Sequence, residues 1–283
     1  MYQDQDASTL TTGWLRLGVA SLAIVAVYIP MFLLLAEDWV SSPRLSHGFA
    51  IPLIAGYLVW KRSREMRGIA PVPSWGGLPV VLGGLVLYAG GMLGGEPFLA
   101  FVSFLFTLLG ALLFLGGTRV AKEFLPGIGY LAFMIPIPYV ALKGLTDQAR
   151  LLDATVTAAV LPWLGVPVFQ EGFLLHLPNI TLVVADECSS IPAIAALLAL
   201  GAAYGYVKGR SPLICMTLLV SAVPLGIASN LIRITTTAGA AYYLGPIALN
   251  NFIHLWSGTT VFLMTLGALM LLDLKLSRRE LEG

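Results

Sequence analysis

Apolar residues run almost without interruption along this chain, in blocks separated by short polar or glycine- and proline-rich joints. Eight blocks stand out, at about 14–35, 47–60, 75–94, 98–117, 124–142, 190–207, 212–231 and 255–273. A spanning helix needs roughly 20 apolar residues, so the pattern predicts an all-α polytopic membrane protein with about eight transmembrane helices. The second block, "HGFAIPLIAGYLVW", is short and is extended backwards through Leu45. The first run, Leu15 to Ala36, is long enough to span and has no small-residue cleavage site, so it is expected to stay as an anchor. Glycine pairs recur along the third block, from Gly76-Gly77 to Gly94-Gly95, and are expected to let a neighbouring helix approach closely.

The pattern changes between the fifth and sixth blocks. Over 139–164, Leu142, Leu145, Ala149, Leu152 and Val156 recur at three- and four-residue steps, with Lys143, Asp147 and Arg150 elsewhere. This periodicity predicts an amphipathic helix at the membrane surface. Branched and aromatic residues then flank Gly172 and a Pro178-Asn179 turn, which predicts a β-hairpin. The whole chain, 1–283, therefore reads as a single integral membrane domain with 139–187 as a small extracytoplasmic insert.

Composition agrees with the pattern. The sequence is 58% hydrophobic and 11% charged, with a mean hydropathy of +0.86, outside the range of soluble domains. A net charge of +1 leaves no basic surface for nucleic acid, and the partner surface implied is the lipid bilayer. The positions of the charges carry more information. With the N-terminus inside, the expected cytoplasmic segments hold twelve of the sixteen basic residues, leaving Arg44, Lys143, Arg150 and Arg233 outside. The positive-inside rule then places both termini in the cytoplasm and the 139–187 insert outside it.

That topology puts Cys188, in "VVADECSSIPAIAALLAL", on the outer face, a span away from Cys215. A disulfide needs Cα atoms within about 7 Å, against about 30 Å of hydrocarbon, so the two thiols are expected to be unpaired. Cys215 reads as a small apolar filler. Cys188 precedes Ser189, Ser190 and Pro192, which read as the capped start of a helix. Helix N-termini and nearby cations both favour an anionic thiol. The seventh block brings Asn230 and Arg233 to its outer end, three residues apart, and the eighth begins near His254. Cys188, Arg233 and His254 are thus expected at one level, as nucleophile, cationic stabiliser and general acid or base. Each residue type also has an inert reading, as filler, snorkelling group or interfacial anchor. No motif in the sequence calls for a metal or organic cofactor.

The stretches "SHGFAIPLIAGYLVWKRSRE", "FMIPIP", "VVADECSSI", "SNLIRI" and the late "IH" resemble, in order and spacing, the exosortase/archaeosortase family of membrane-embedded cysteine transpeptidases. The resemblance covers about residues 40 to 270. It implies a sortase-like enzyme of the cytoplasmic membrane with catalytic Cys188, Arg233 and His254, supporting Asn230 and Glu187, and His47 as a substrate contact. It further implies membrane-anchored protein substrates with a C-terminal sorting signal, built of a short Pro-Glu-Pro-type motif, a transmembrane helix and a basic tail. Such an enzyme cleaves the signal through a thioester and passes the product to a cell-surface acceptor, without a cofactor. One departure concerns the nucleophile's neighbours. Where the family shows Cys-Ser-Gly-Ile/Leu-Arg, this chain has Cys188-Ser189-Ser190-Ile191-Pro192. His176, among leucines of the expected hairpin, competes with His254 as the base. A non-catalytic membrane scaffold and a transporter are the alternative classes; the absence of an evident charged residue deep within a span weighs against the transporter.

Overall fold

A computed structural model describes residues 2–66, 69–245 and 251–282, without the side chains of 2–11, 43, 139, 251–257 and 279–282. The chain is mostly helical and divides into two compact units, Met1–Ile137 and Pro138–Gly283.

The first unit opens with α1 (Tyr2–Val27) and α2 (Ile29–Ser41), which meet at a 62° bend. Pro30, in the first turn of α2, has no N–H to continue the ladder across the junction. The bend is fixed by Tyr28, fully buried, whose hydroxyl meets Ser103 Oγ at 3.0 Å and Thr107 Oγ1 at 2.8 Å. After a 3-10 segment, Pro43–Phe49, come α3 (Ala50–Glu65), α4 (Gly77–Gly94) and α5 (Pro97–Tyr130). One member of three glycine pairs, Gly77, Gly84 and Gly91, is buried on the face of α4 that meets α5. A Cβ at Gly91 would stand 2.6 Å from the Ala100 backbone nitrogen, and one at Gly84 2.9 Å from that of Thr107, whereas Gly83 and Gly90 face open space. Spacing by seven thus keeps a smooth seam toward α5. Helix α5 breaks at Gly117, whose φ of 81° only glycine adopts readily.

The second unit begins with α6 (Tyr139–Val160), as the periodicity over 139–164 implies, followed by a 3-10 turn, Leu161–Leu164. The expected hairpin is a three-stranded antiparallel meander of β1 (Phe169–Glu171), β2 (Leu174–His176) and β3 (Thr181–Val183). Its turns fall at Gly172, with φ 58°, and at Pro178-Asn179. Three further helices follow: α7 (Ile191–Val207), α8 (Pro212–Leu244) and α9 (Asn251–Glu282). Leu175 and Val184 from the sheet segment, Ala154 from α6 and Ile234 from α8 form one buried cluster, with Cys188 packed against it. Leu161, Val166, Leu177 and Ala238 form a second.

Four helices among the described residues are long and apolar enough to cross a bilayer: Gly77–Gly94, Pro97–Met134, Pro212–Leu244 and Gly258–Arg278. The bent pair α1 and α2 makes a fifth if it counts as one span. Three of the eight expected blocks, the second, fifth and sixth, do not form a full span of their own. Helices α3 and α7, of 16 and 17 residues, are short for a full span. The fifth block is not a continuous helix, because α5 ends at Tyr130 and a 3-10 turn at Met134, after which Pro136 and Pro138 remove backbone donors. The seventh runs on to Leu244, and its 33 residues extend roughly 50 Å, well beyond a 30 Å hydrocarbon layer. The excess supports the sheet: Asn179 Nδ2 donates to the Ala241 and Tyr242 carbonyls at 3.2 and 3.0 Å, and the Tyr243 hydroxyl to Leu164 O at 3.0 Å.

A buried carboxyl lies near the C-terminal end of the last span. Asp273 of α9 is fully buried, with Oδ2 2.7 Å from Arg210 Nη2 and 3.0 Å from the Tyr204 hydroxyl. This arrangement ties the α7–α8 connection to α9.

Candidate active site

Cys188 closes a single 3-10 turn, Asp186–Cys188, between β3 and α7. Its N–H donates to Ala185 O at 2.9 Å, and both the N–H and the hydroxyl of Ser189 donate to Asp186 O. The helix that follows starts at Ile191 with Pro192 in its first turn. Ser190 occupies the cap position without a side-chain capping bond, which corrects the expected serine cap. Its N–H donates instead to Asp153 Oδ2, at 3.0 Å, across to α6.

The structure brings Cys188, Arg233 and Asn230 together. Arg233 Nη2 lies 3.5 Å from Cys188 Sγ. Asn230, one turn earlier on α8 and buried, donates through Nδ2 to the Cys188 carbonyl at 2.7 Å and to Asp153 Oδ2 at 2.9 Å. Both residues sit in the interior of α8 rather than at its end, because the helix continues past Arg233 to Leu244. A cleft of about 110 Å³ opens beside the sulfur, lined by Leu175, Leu182, Val183, Val184, Ile234 and Thr237 together with Cys188 and Arg233. A cation and a thiol thus share the edge of a small, mostly apolar cleft.

His254 falls in α9, but its side chain is outside the described residues. The next turn of the same helix is described: a Cβ at Gly258 would stand 3.5 Å from Arg233 Cδ and 3.6 Å from Nε. Glu187 is exposed and has no hydrogen bond or ion pair among the described residues. His47 is half-buried in the 3-10 segment of the first unit. His176 is held across the sheet, Nδ1 3.0 Å from Thr181 Oγ1 and Nε2 3.3 Å from Glu171 Oε2, with its ring stacked on Phe169. Cys188 and Cys215 are both free thiols, and Cys215 Sγ packs against Gly205 between α7 and α8.

Two residues of the site escaped the sequence reading, and both come from α6. Asp153 is completely buried. Burial pushes its carboxyl up to about 6, and the bonds from Asn230 and Ser190 pull the other way. Arg150, one turn earlier, donates from Nε to Val184 O at 2.7 Å, pairs with Asp186 at 2.6 Å and lies 4.0 Å from the Phe173 ring centre. The signal was present as a polar stripe. Thr146, Arg150, Asp153 and Thr157 share one helical face by spacing, and Thr146, Asp153 and Thr157 are buried. The leucine stripe lies on another face of the helix, with Leu145 and Leu152 exposed, at 55% and 46%.

A sequence model of the transmembrane exosortase family matches residues 39–271, which include every site residue described above. The chain belongs to the transmembrane exosortase family. No curated protein and no solved structure matches it. As an exosortase it is a multi-pass membrane protein, in keeping with its apolar helices.

Proposed function

We propose that this exosortase is a cysteine transpeptidase that cleaves C-terminal sorting signals of membrane-anchored surface proteins at the extracytoplasmic face of the cytoplasmic membrane. The observation that carries the reading is the 3.5 Å contact between Arg233 Nη2 and Cys188 Sγ at the cleft edge. A guanidinium keeps its charge throughout, so it pairs with sulfur as an anion and with an oxyanion formed nearby.

The reaction runs in two stages. Cys188 Sγ attacks the scissile carbonyl carbon, the C–N bond breaks, and the amine leaves with a proton supplied by His254, producing a thioester. An acceptor amine, hydroxyl or water then attacks the thioester carbon, its proton passes to the base, and the thiol is regenerated. Position 254 precedes Gly258 by one turn, and Gly258 packs on Arg233, which favours His254 over the sheet-bound His176 for the proton transfer. Asn230 orients the nucleophile's backbone, and Glu187 supports the site from the solvent side. With both termini in the cytoplasm, the distribution of basic residues supports an outward-facing site.

The test is co-expression with a surface protein that ends in a short motif, one apolar helix and a basic tail. Cys188→Ala and Cys188→Ser should leave that protein at full length while the variants insert normally. Wild-type chain should form a hydroxylamine-sensitive adduct on Cys188. Processing by Cys188→Ala at the wild-type rate would remove the proposal in favour of a scaffold.

A further inference from the structure

We propose that Asp153 is the positioning residue of this site, setting the place of the Cys188 sulfur against Arg233 through the Asn230 amide and the Ser190 backbone. The inference rests on the reading of Cys188 as the reacting group.

One carboxylate oxygen receives two donors from groups next to Cys188. Asp153 Oδ2 accepts from Ser190 N at 3.0 Å, two residues after Cys188, and from Asn230 Nδ2 at 2.9 Å. A primary amide has two N–H groups, and here the second goes to the carbonyl of Cys188 itself, at 2.7 Å. The Asn230 amide is therefore saturated as a donor, and rotating it breaks both bonds. Asn230 and Arg233 lie one turn apart on α8, so the helix transmits the position of the amide to the guanidinium. The nucleophile and its cation are registered by a single side chain from a third helix. Arg150, one turn before Asp153, holds the other flank through Val184 O and Asp186.

A carboxylate is a costly choice for that place. Asp153 has no exposed surface, and its Oδ1 has no partner among the described residues. An apolar residue of the same shape would fill the volume at lower cost but would leave the Ser190 N–H and one Asn230 N–H without an acceptor. The acceptor geometry is what aspartate contributes here. An asparagine keeps one such oxygen in the same position, whereas alanine keeps none.

The experiment uses the full chain in right-side-out membranes, in a Cys215→Ala background, with two readouts normalised to inserted protein. One is the rate of Cys188 labelling by a membrane-impermeant maleimide; the other is processing of an anchored substrate. Asp153→Ala should slow both by roughly 10- to 100-fold, the effect of stranding buried donors. Asp153→Asn should stay within about threefold of wild type, since it restores the acceptor. Asn230→Ala should resemble Asp153→Ala, and the double variant should lose little more than either, because the two act as one unit. Wild-type rates in Asp153→Ala, equal losses in Asp153→Asn and Asp153→Ala, or losses that multiply in the double variant would each overturn the assignment. If wild type labels at Cys188 yet processes no anchored substrate, the transpeptidase reading fails, and the labelling rates still decide the role of Asp153.

Discussion

Arg233 Nη2 approaches Cys188 Sγ to 3.5 Å, although the two residues lie 45 positions apart in the chain. The contact joins a long helix to a one-turn loop, and it depends on the planar reach of a guanidinium. Arg233→Lys retains the charge on a flexible stem without the fork. It should slow Cys188 alkylation and substrate processing by roughly 10-fold or more, with Arg233→Ala slower still, at the 2–4 kcal/mol scale of a lost electrostatic stabiliser. Stopped alkylation time courses on membranes would measure it, and equal rates in all three proteins would show the contact to be idle.

Arg150 carries the opposite flank of the same turn. Its side chain is only 14% exposed and meets Val184 O, Asp186 and the face of Phe173. Arg150→Ala leaves that carbonyl and the Asp186 carboxylate short of their cation, a change worth on the order of 2–3 kcal/mol for partly buried groups. Amide hydrogen exchange over 181–190 should accelerate by roughly tenfold or more, while exchange in the Tyr204–Asp273 region stays as in wild type.

The buried carboxyl of Asp153 makes stability depend on pH with a definite sign. Its ordinary value of 3.8 is pushed up to about 6 in the folded chain by burial. The folded state therefore holds the proton more tightly than the unfolded one. The resulting contribution is present in full below about pH 4 and is lost as pH rises through about 6, a change of at most about 3 kcal/mol. Asp153→Asn has no such proton to lose. Thermal unfolding in detergent should thus show the variant gaining on wild type between pH 4.5 and 7, and a constant difference in Tm would refute the linkage.

The α4–α5 seam gives a paired control. A Cβ at Gly84 would be forced against the Thr107 backbone and hydroxyl, whereas Gly83 has open space around it. Gly84→Ala should destabilise the first unit by about 1–3 kcal/mol, and Gly83→Ala should be neutral or mildly stabilising. Heat extraction of each variant from membranes distinguishes them.

Much of the fold was legible because a bilayer imposes a long, one-dimensional pattern on any helix that crosses it. The α4 and α9 spans, the helix over 139–160 and the turns at Gly172 and Pro178-Asn179 follow from local composition, and glycine spacing announced the α4 seam. The span count failed where backbone chemistry interrupts an apolar run, as at Pro136 and Pro138, or where an apolar helix is too short to cross, as in α3 and α7. Apolar periodicity located α6 but not the residues it gives to the site. In lipid the outward face of a helix is as apolar as a core, so the leucines of α6 marked its exposed side while Asp153 and Thr157 faced the protein.

By itself the sequence determined a multi-pass helical protein, an unpaired Cys188 and an Asn-x-x-Arg turn, because each of these is written in hydropathy or in neighbouring residues. Only the tertiary structure decided that Asn230 and Arg233 meet the loop of Cys188, and that Asp153 from α6 accepts bonds from Ser190 and Asn230. Those contacts join residues 37 to 77 positions apart. Hydrogen-bond partners at that separation are chosen by how helices pack, and no local pattern records that choice.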